Sequence, residues 1–242
     1  AEAAGGEASL ENIVPYISSK IDVFTANDIM RPIVAQQHSA FNFREIMDDK
    51  KIFLANLSKG RLGERNTSLL GLVLVSKFLQ AAFSRVDTQG QLPTFYLYID
   101  EFQNFATDSI STILSEARKY KLSLTIAHQF IAQLEEKIRD AVIGNVGTKV
   151  AFRIGTTDAE FLEKQFSPIF TRHDLENQEN RTAAVAMLAN GMPVKPFTLR
   201  TADLPKFDYT HVAALKELSY RTYGRDREEV EAEVHARFAP KP

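Results

Sequence analysis

The run Thr94–Ile99 (TFYLYI), closed by the adjacent acids Asp100 and Glu101, constrains this chain more than any other stretch. Aromatic and β-branched residues in a near-continuous apolar run favour a strand buried on both faces. Such strands belong to parallel sheets covered by helices. The flanking sequence repeats the theme. Lys51–Leu57 (KIFLANL) reads as a buried strand opening into a loop at Ser58-Lys59-Gly60. Leu122–Ala127 (LSLTIA) and Thr148–Ile154 (TKVAFRI) read as two more. Helices are predicted over residues 64–85, 108–119, 131–141 and 157–165, the first apolar nearly all round and hence sandwiched inside the fold. Alternating strands and helices predict an α/β domain, a mostly parallel sheet flanked by helices.

The ends differ in character. Residues 9–23 are predicted helical with Ser9 as cap, and Asp28-Ile29-Met30-Arg31-Pro32 carries a helix stop. Asn190-Gly191 stands between two alternating runs, Thr182–Leu188 and Pro193–Arg200. That is a hairpin signal, so the sheet gains an antiparallel edge near its C-terminal end. Residues 208–238 read as two charged helices around Gly224. The resulting division is a helical region or linker over 1–40, the α/β domain over 41–203 and a helical tail over 204–242.

Composition excludes several classes. The chain has 242 residues, a 44% hydrophobic fraction and no cysteine, which removes disulfides and thiolate metal sites and is compatible with a reducing cytoplasm. Its 29 basic and 31 acidic residues leave a formal charge of −2. It therefore lacks the basic excess of a single-module nucleic-acid binder, although a ring needs positive potential only along its pore. The longest strictly apolar run, Leu69–Val75, is far short of the roughly 20 residues that cross a bilayer, so no membrane segment is expected. The opening AEAAGGEASL has neither a basic nor an apolar signal region and reads as a linker or the cut end of a longer protein. The expected location is the cytoplasm, with any membrane attachment made by a preceding region.

In open α/β sheets ligands gather at the carboxyl ends of the strands. The residues placed there are Asn56 and Ser58, Asp100 and Glu101, His128 and Gln129, and Arg153 with Gly155. An apolar strand followed by Asp–Glu is the Walker B pattern. The first acid holds Mg²⁺ through water and the second polarises the attacking water. Two acids facing solvent would look the same. Gln129, after the adjacent strand, is placed to reach the γ-phosphate or the water near Glu101, or else to cap the following helix. Arg118 ends the helix between the two strands, where it either complements the helix dipole or serves as an arginine finger. The histidines at 38, 128, 173, 211 and 235 lack metal-ligand spacing. Phe102, Phe105 and Phe130 read as packing residues, His128 as a hydrogen-bonded histidine at a strand end, and Lys59, Arg61 and Arg65 as a solvated basic loop.

Phe95-Tyr-Leu-Tyr-Ile-Asp-Glu-Phe102, Ser115-Glu-Ala-Arg-Lys119 and Leu124-Thr-Ile-Ala-His-Gln129, in that order and spacing, resemble the TraD/TraG-type coupling proteins of conjugation and type IV secretion, within the HerA/FtsK class of ring translocases. The resemblance runs from about Phe43 to Arg200, through Leu57-Ser-Lys-Gly-Arg-Leu-Gly63, Gly144-Asn-Val-Gly-Thr148 and Phe152-Arg-Ile-Gly155. It implies a RecA-like fold, with Asp100 and Glu101 as Walker B acids, Arg118 as the finger and Gln129 as the sensor. It further implies ATP with Mg²⁺, a homo-hexameric ring, DNA in the pore and type IV secretion components as partners.

The family's phosphate loop, GxxxxGK[ST], is absent from these residues. Gly5-Gly6 lacks the lysine, and Ser58–Gly63 has neither the length nor the terminal Lys-Ser/Thr. The expectation is the Walker B and sensor half of an ATP-driven DNA translocase. The alternatives are a non-catalytic ring or interaction subunit, and a metal-dependent nuclease using Asp100, Glu101 and Lys121. Without the loop, the isolated chain should bind ATP poorly. Titration calorimetry checks this, and sub-micromolar affinity would contradict it.

Overall fold

The computed structural model describes Pro15 and residues 25–88, 90–106 and 114–238. The chain forms two compact units. One comprises Met47–Lys51 and Leu74–Phe207, the other Ala1–Ile46, Ile52–Val73 and Asp208–Pro242. The helix expected over residues 9–23 lies outside the described residues apart from Pro15, and the one over 108–119 is described only from Leu114 onward.

The first unit is built on a parallel pair, β1 (Phe95–Ile99) and β2 (Leu122–Ile126), in matched register from Phe95↔Leu122 to Ile99↔Ile126. The sequence explains both strands: FYLYI and LSLTI are rich in aromatic or β-branched residues. One face of β1 is turned inward, where Phe95 stacks on Phe78 with ring centroids 5.2 Å apart and Ile99 is buried. Tyr96 and Tyr98, on the alternate face, are exposed. A 3-10 turn, Ala117–Tyr120, leads into β2 and ends at Lys121 in the left-handed region, φ 56°.

Arg85 ties the amino ends of both strands together. Its side chain is fully buried; Nε donates to Asp48 Oδ1 at 3.0 Å, with Nη2 2.8 Å from the same oxygen. Nη1 donates to the carbonyls of Pro93, Tyr120 and Lys121 at 3.3, 2.9 and 3.2 Å. The first carbonyl lies just before β1 and the other two just before β2.

After β2 come a 3-10 turn (Ile131–Gln133) and a helix, Glu136–Asn145, which buries Ile138 and Val142. A second sheet follows in the order β3 (Lys149–Ala151), β4 (Thr182–Ala186), β7 (Phe197–Arg200), antiparallel throughout. Its core joins Ala151 and Ala184 to Ala159 and Phe166 of a helix over Thr156–Phe166, and to Phe170 and Leu175. The next helix, Arg172–Glu176, opens with a capping box between Thr171 and Asp174. A two-residue ladder, β5 (Leu188–Ala189) with β6 (Met192–Pro193), turns at Asn190 and Gly191, both at positive φ (53° and 77°). A two-residue hairpin loop of this kind needs φ > 0 at both positions, which Asn-Gly adopts most readily.

In the other unit a helix over Met30–Val34 packs against one over Arg227–Phe238. Met30, Val230 and Val234 are buried there, and Arg237 donates to the Ala35 carbonyl at 2.8 Å. Phe41, Phe43, Phe53 and Tyr223 form a ring cluster. The two tail helices, Val212–Tyr223 and Arg227–Phe238, flank Gly224 as expected.

Several expectations are corrected. Asp28–Pro32 starts a helix: Asn27 Oδ1 accepts from the amides of Ile29 and Met30 at 3.0 and 2.9 Å. Pro32 falls in the first turn, where its missing N–H has no helical partner to lose. Lys51–Leu57 does not form a strand in any described ladder, and Ile52 and Leu54 are almost 90% exposed (88% and 89%). An apolar run becomes a strand only when a ladder partner takes up its amides and carbonyls. The sheet is not mostly parallel, since β3 pairs antiparallel with β4. The fold is thus mixed α/β, with small parallel and antiparallel sheets and flanking helices.

The long helix Glu64–Phe83 runs on as a 3-10 turn to Asp87. It is half-exposed rather than sandwiched, and Glu64–Asp87 is long and apolar enough to cross a membrane by length and composition. The core helix of a soluble protein passes the same test, but the exclusion drawn from Leu69–Val75 alone does not stand.

Replacing Arg85 by Met should destabilise the first unit by about 3 kcal/mol, because Asp48 and three carbonyls lose a buried cation. Urea unfolding followed by circular dichroism measures this, and an unchanged midpoint would show that Arg85 is not the anchor.

Candidate functional site

The matched register of β1 and β2 brings Asp100-Glu101 and His128-Gln129 out at the same end of the pair. Phe102 N–H bonds the Ala127 carbonyl at 2.9 Å, extending the ladder past both strands, and the Phe102 ring is fully buried. Between these anchors Glu101 adopts a left-handed backbone, φ 51°, ψ 43°. A non-glycine residue there is strained unless its surroundings fix it. Here they do: Asp100 Oδ1 accepts the Glu101 amide at 2.9 Å, while the Asn104 side-chain and main-chain N–H groups both reach the Glu101 carbonyl at 3.0 Å.

The Glu101 carboxylate accepts a side-chain amide on each oxygen. Gln129 Nε2 lies 2.5 Å from Oε1, and Gln103 Nε2 lies 2.6 Å from Oε2. Gln129 thus reaches Glu101 itself across the parallel pair. Asp100 is exposed beside it. Its position at the strand end, with oxygen ligands only, suits a hydrated hard cation held by one carboxylate. Among the described residues no cluster of three or more His, Cys, Asp or Glu side chains forms a self-sufficient metal site.

Not every expected residue joins this group. Arg118 is exposed and precedes β2, so a five-residue strand, roughly 16 Å, separates it from Glu101. Lys121 stands at that same far end with its carbonyl bonded to Arg85, which removes the geometric basis for a nuclease built from Lys121, Asp100 and Glu101. Arg153 bonds Asn180 at 3.3 Å, and Gly155 caps the helix over Thr156–Phe166. Asn56 and Ser58 belong to the other unit. Phe102 and Phe105 are buried as expected, whereas Phe130 is 52% exposed.

Two participants went unmarked in the sequence. Gln103 has only its spacing, two residues after Glu101, to single it out. Asp158 is buried and accepts the Ile131 amide at 3.2 Å, fastening the segment after Gln129 to the helix over Thr156–Phe166. His128 bonds the Phe130 main chain, in line with the hydrogen-bonded histidine read from the sequence, while its Nδ1 is buried with no hydrogen-bond partner. Burial holds the His128 pKa below its ordinary value, opposed by the nearby Asp158 charge and by a bond to the Phe130 main chain.

Residues 94–190 match the family model described as the TraM recognition site of TraD and TraG, a span containing β1, β2 and the whole acid–amide group. The resemblance to TraG/TraD-type coupling proteins is carried by this segment, which is less than half of the chain. Among solved structures it is similar to the bacterial conjugative coupling protein TrwBdeltaN70 in its unbound monoclinic form, at 15% identity and a TM-score of 0.47. That match covers 58% of this chain and 40% of the other, so the chain spans well under half of that coupling protein. No curated protein matches it.

Because the folded state resists protonating His128, its contribution to stability is complete above the ordinary histidine pKa of about 6.5. It declines as pH falls from there toward the lowered folded value. Thermal midpoints between pH 7.5 and 5 should fall, and His128→Phe should flatten that slope. An equal slope in the variant would assign the effect elsewhere.

Proposed function

We propose that this chain is the Walker B and sensor half of a RecA-like, ATP-driven DNA translocase of conjugative or type IV secretion type. The observation that carries this is the 2.5 Å bond from Gln129 to Glu101, which joins an acid pair and an amide at the carboxyl ends of adjacent parallel strands. When bound, Mg²⁺-ATP supplies the phosphoryl group and a cation that offsets its charge. Asp100 would hold the ion through water. Glu101 would orient the attacking water and accept its proton, and Gln129 would report the state of the phosphate to β2.

The donor set fits the metal half of such a site and not the phosphate half, since no GxxxxGK[ST] occurs in these residues. The phosphate loop must therefore come from outside these 242 residues. Arg118, exposed and a strand's length from Glu101, suits a finger supplied to a neighbouring subunit's site better than one acting within its own chain. A homo-hexameric ring around DNA provides such a neighbour.

A second reading is a non-catalytic interaction module. It is favoured by the missing phosphate loop and by the family's description as a TraM recognition site. Binding of a TraM-type partner that survives Asp100→Ala and Glu101→Ala would support it. For the ATPase, Glu101→Gln in an assembly with the phosphate-loop half should lower turnover by roughly 10²- to 10⁴-fold with ATP binding retained. Turnover at the wild-type rate would sink the assignment.

A further inference from the structure

Gln103 stands apart from the other polar residues near the site. It is half-buried on the 3-10 turn Phe102–Asn104, and its side-chain carbonyl oxygen is buried without a partner. Its Nε2 lies 2.6 Å from Glu101 Oε2. A carboxylate only accepts, so the charge on Glu101 fixes which end of the Gln103 amide turns toward it. The amide keeps that orientation although its own oxygen stays unsatisfied, so the bond to Glu101 outweighs the alternatives open to the side chain.

The two amides hold Glu101 differently. Gln103 is two residues away and rides on the same turn as Glu101, so any motion of that turn carries both together. Gln129 reaches over from β2, 28 positions along the chain, and is exposed. Movement of β2, or a competing partner for Gln129, would free Oε1 and leave Oε2 held. The main chain of Glu101 is meanwhile pinned by Asp100 and Asn104.

We propose that Gln103 is a positioning residue: by retaining Glu101 Oε2 it fixes the carboxylate so that Oε1, released by Gln129, is the oxygen presented to the attacking water. This rests on the role given to Glu101 above. Catalytic geometry tolerates little error, and a misplacement of about 1 Å costs on the order of 10²-fold in rate.

The deciding variant is Gln103→Leu, which keeps the bulk, removes the donor and also removes the unsatisfied carbonyl. With the phosphate-loop half present, it should melt no lower than the wild type and lose about 10- to 100-fold in kcat with KM for ATP unchanged. Wild-type kcat, or a loss explained by a lower melting temperature, would overturn the proposal. If Glu101→Gln is inactive while Gln103→Leu is fully active, the positioning role alone fails. If Glu101→Gln keeps its turnover, the reading of the site fails first.

An activity-independent readout uses the 242-residue chain itself. The side-chain amide resonances of Gln103 and Gln129 should both move in Glu101→Ala, and that of Gln103 should stay in place in Gln129→Ala. A Gln103 amide indifferent to Glu101→Ala would overturn the proposal by itself.

Discussion

The buried guanidinium of Arg85 sets the geometry on which the first unit depends. By donating to carbonyls just before both β1 and β2, it fixes where each strand begins relative to the other. Two parallel strands of equal length that start level also finish level, and their ends carry Glu101 and Gln129. The 2.5 Å contact between those side chains is thus the far-end consequence of a cation buried a strand's length away. A parallel pair of two strands is weakly held by its own ladder. The ion pair with Asp48 and the stacking of Phe95 on Phe78 supply what that ladder lacks.

The same register has a cost at the site. Glu101 is forced into a left-handed backbone, and every hydrogen bond around it serves to hold that conformation or to direct its carboxylate. A left-handed non-glycine residue persists only where its surroundings fix it, and here two amide donors and the Asp100 and Asn104 contacts do so. Next to it, Asp158 accepts the Ile131 amide and fastens the segment after β2 to the helix over Thr156–Phe166.

Apolar surface is distributed unevenly. Tyr96 and Tyr98 line an uncovered face of β1, while Ile52 and Leu54 project from a segment outside any described ladder. Both β1 and Lys51–Leu57 have the composition of interior strands. Their exposure leaves that apolar surface uncovered among the described residues.

By itself the sequence determined most of the local elements and brought forward Asp100, Glu101 and Gln129. Aromatic and β-branched runs specified β1 and β2, Asn190-Gly191 specified its turn through positive φ, and the alternation of strands with helices specified the α/β class. These follow from short-range sterics and side-chain patterning, which act within a few residues. The family resemblance was legible for the same reason: its motifs sit on contiguous segments. Only the tertiary structure decided the rest. Whether Lys51–Leu57 becomes a strand, and whether β3 runs parallel or antiparallel to its neighbour, depends on which edge offers hydrogen-bond partners. The structure alone separated Arg118 from Glu101 and joined Gln103 to it, because direction and distance across a sheet are set by strand register. That register was fixed here by a buried arginine whose partners, Asp48, Pro93, Tyr120 and Lys121, are scattered over more than 70 positions of the chain.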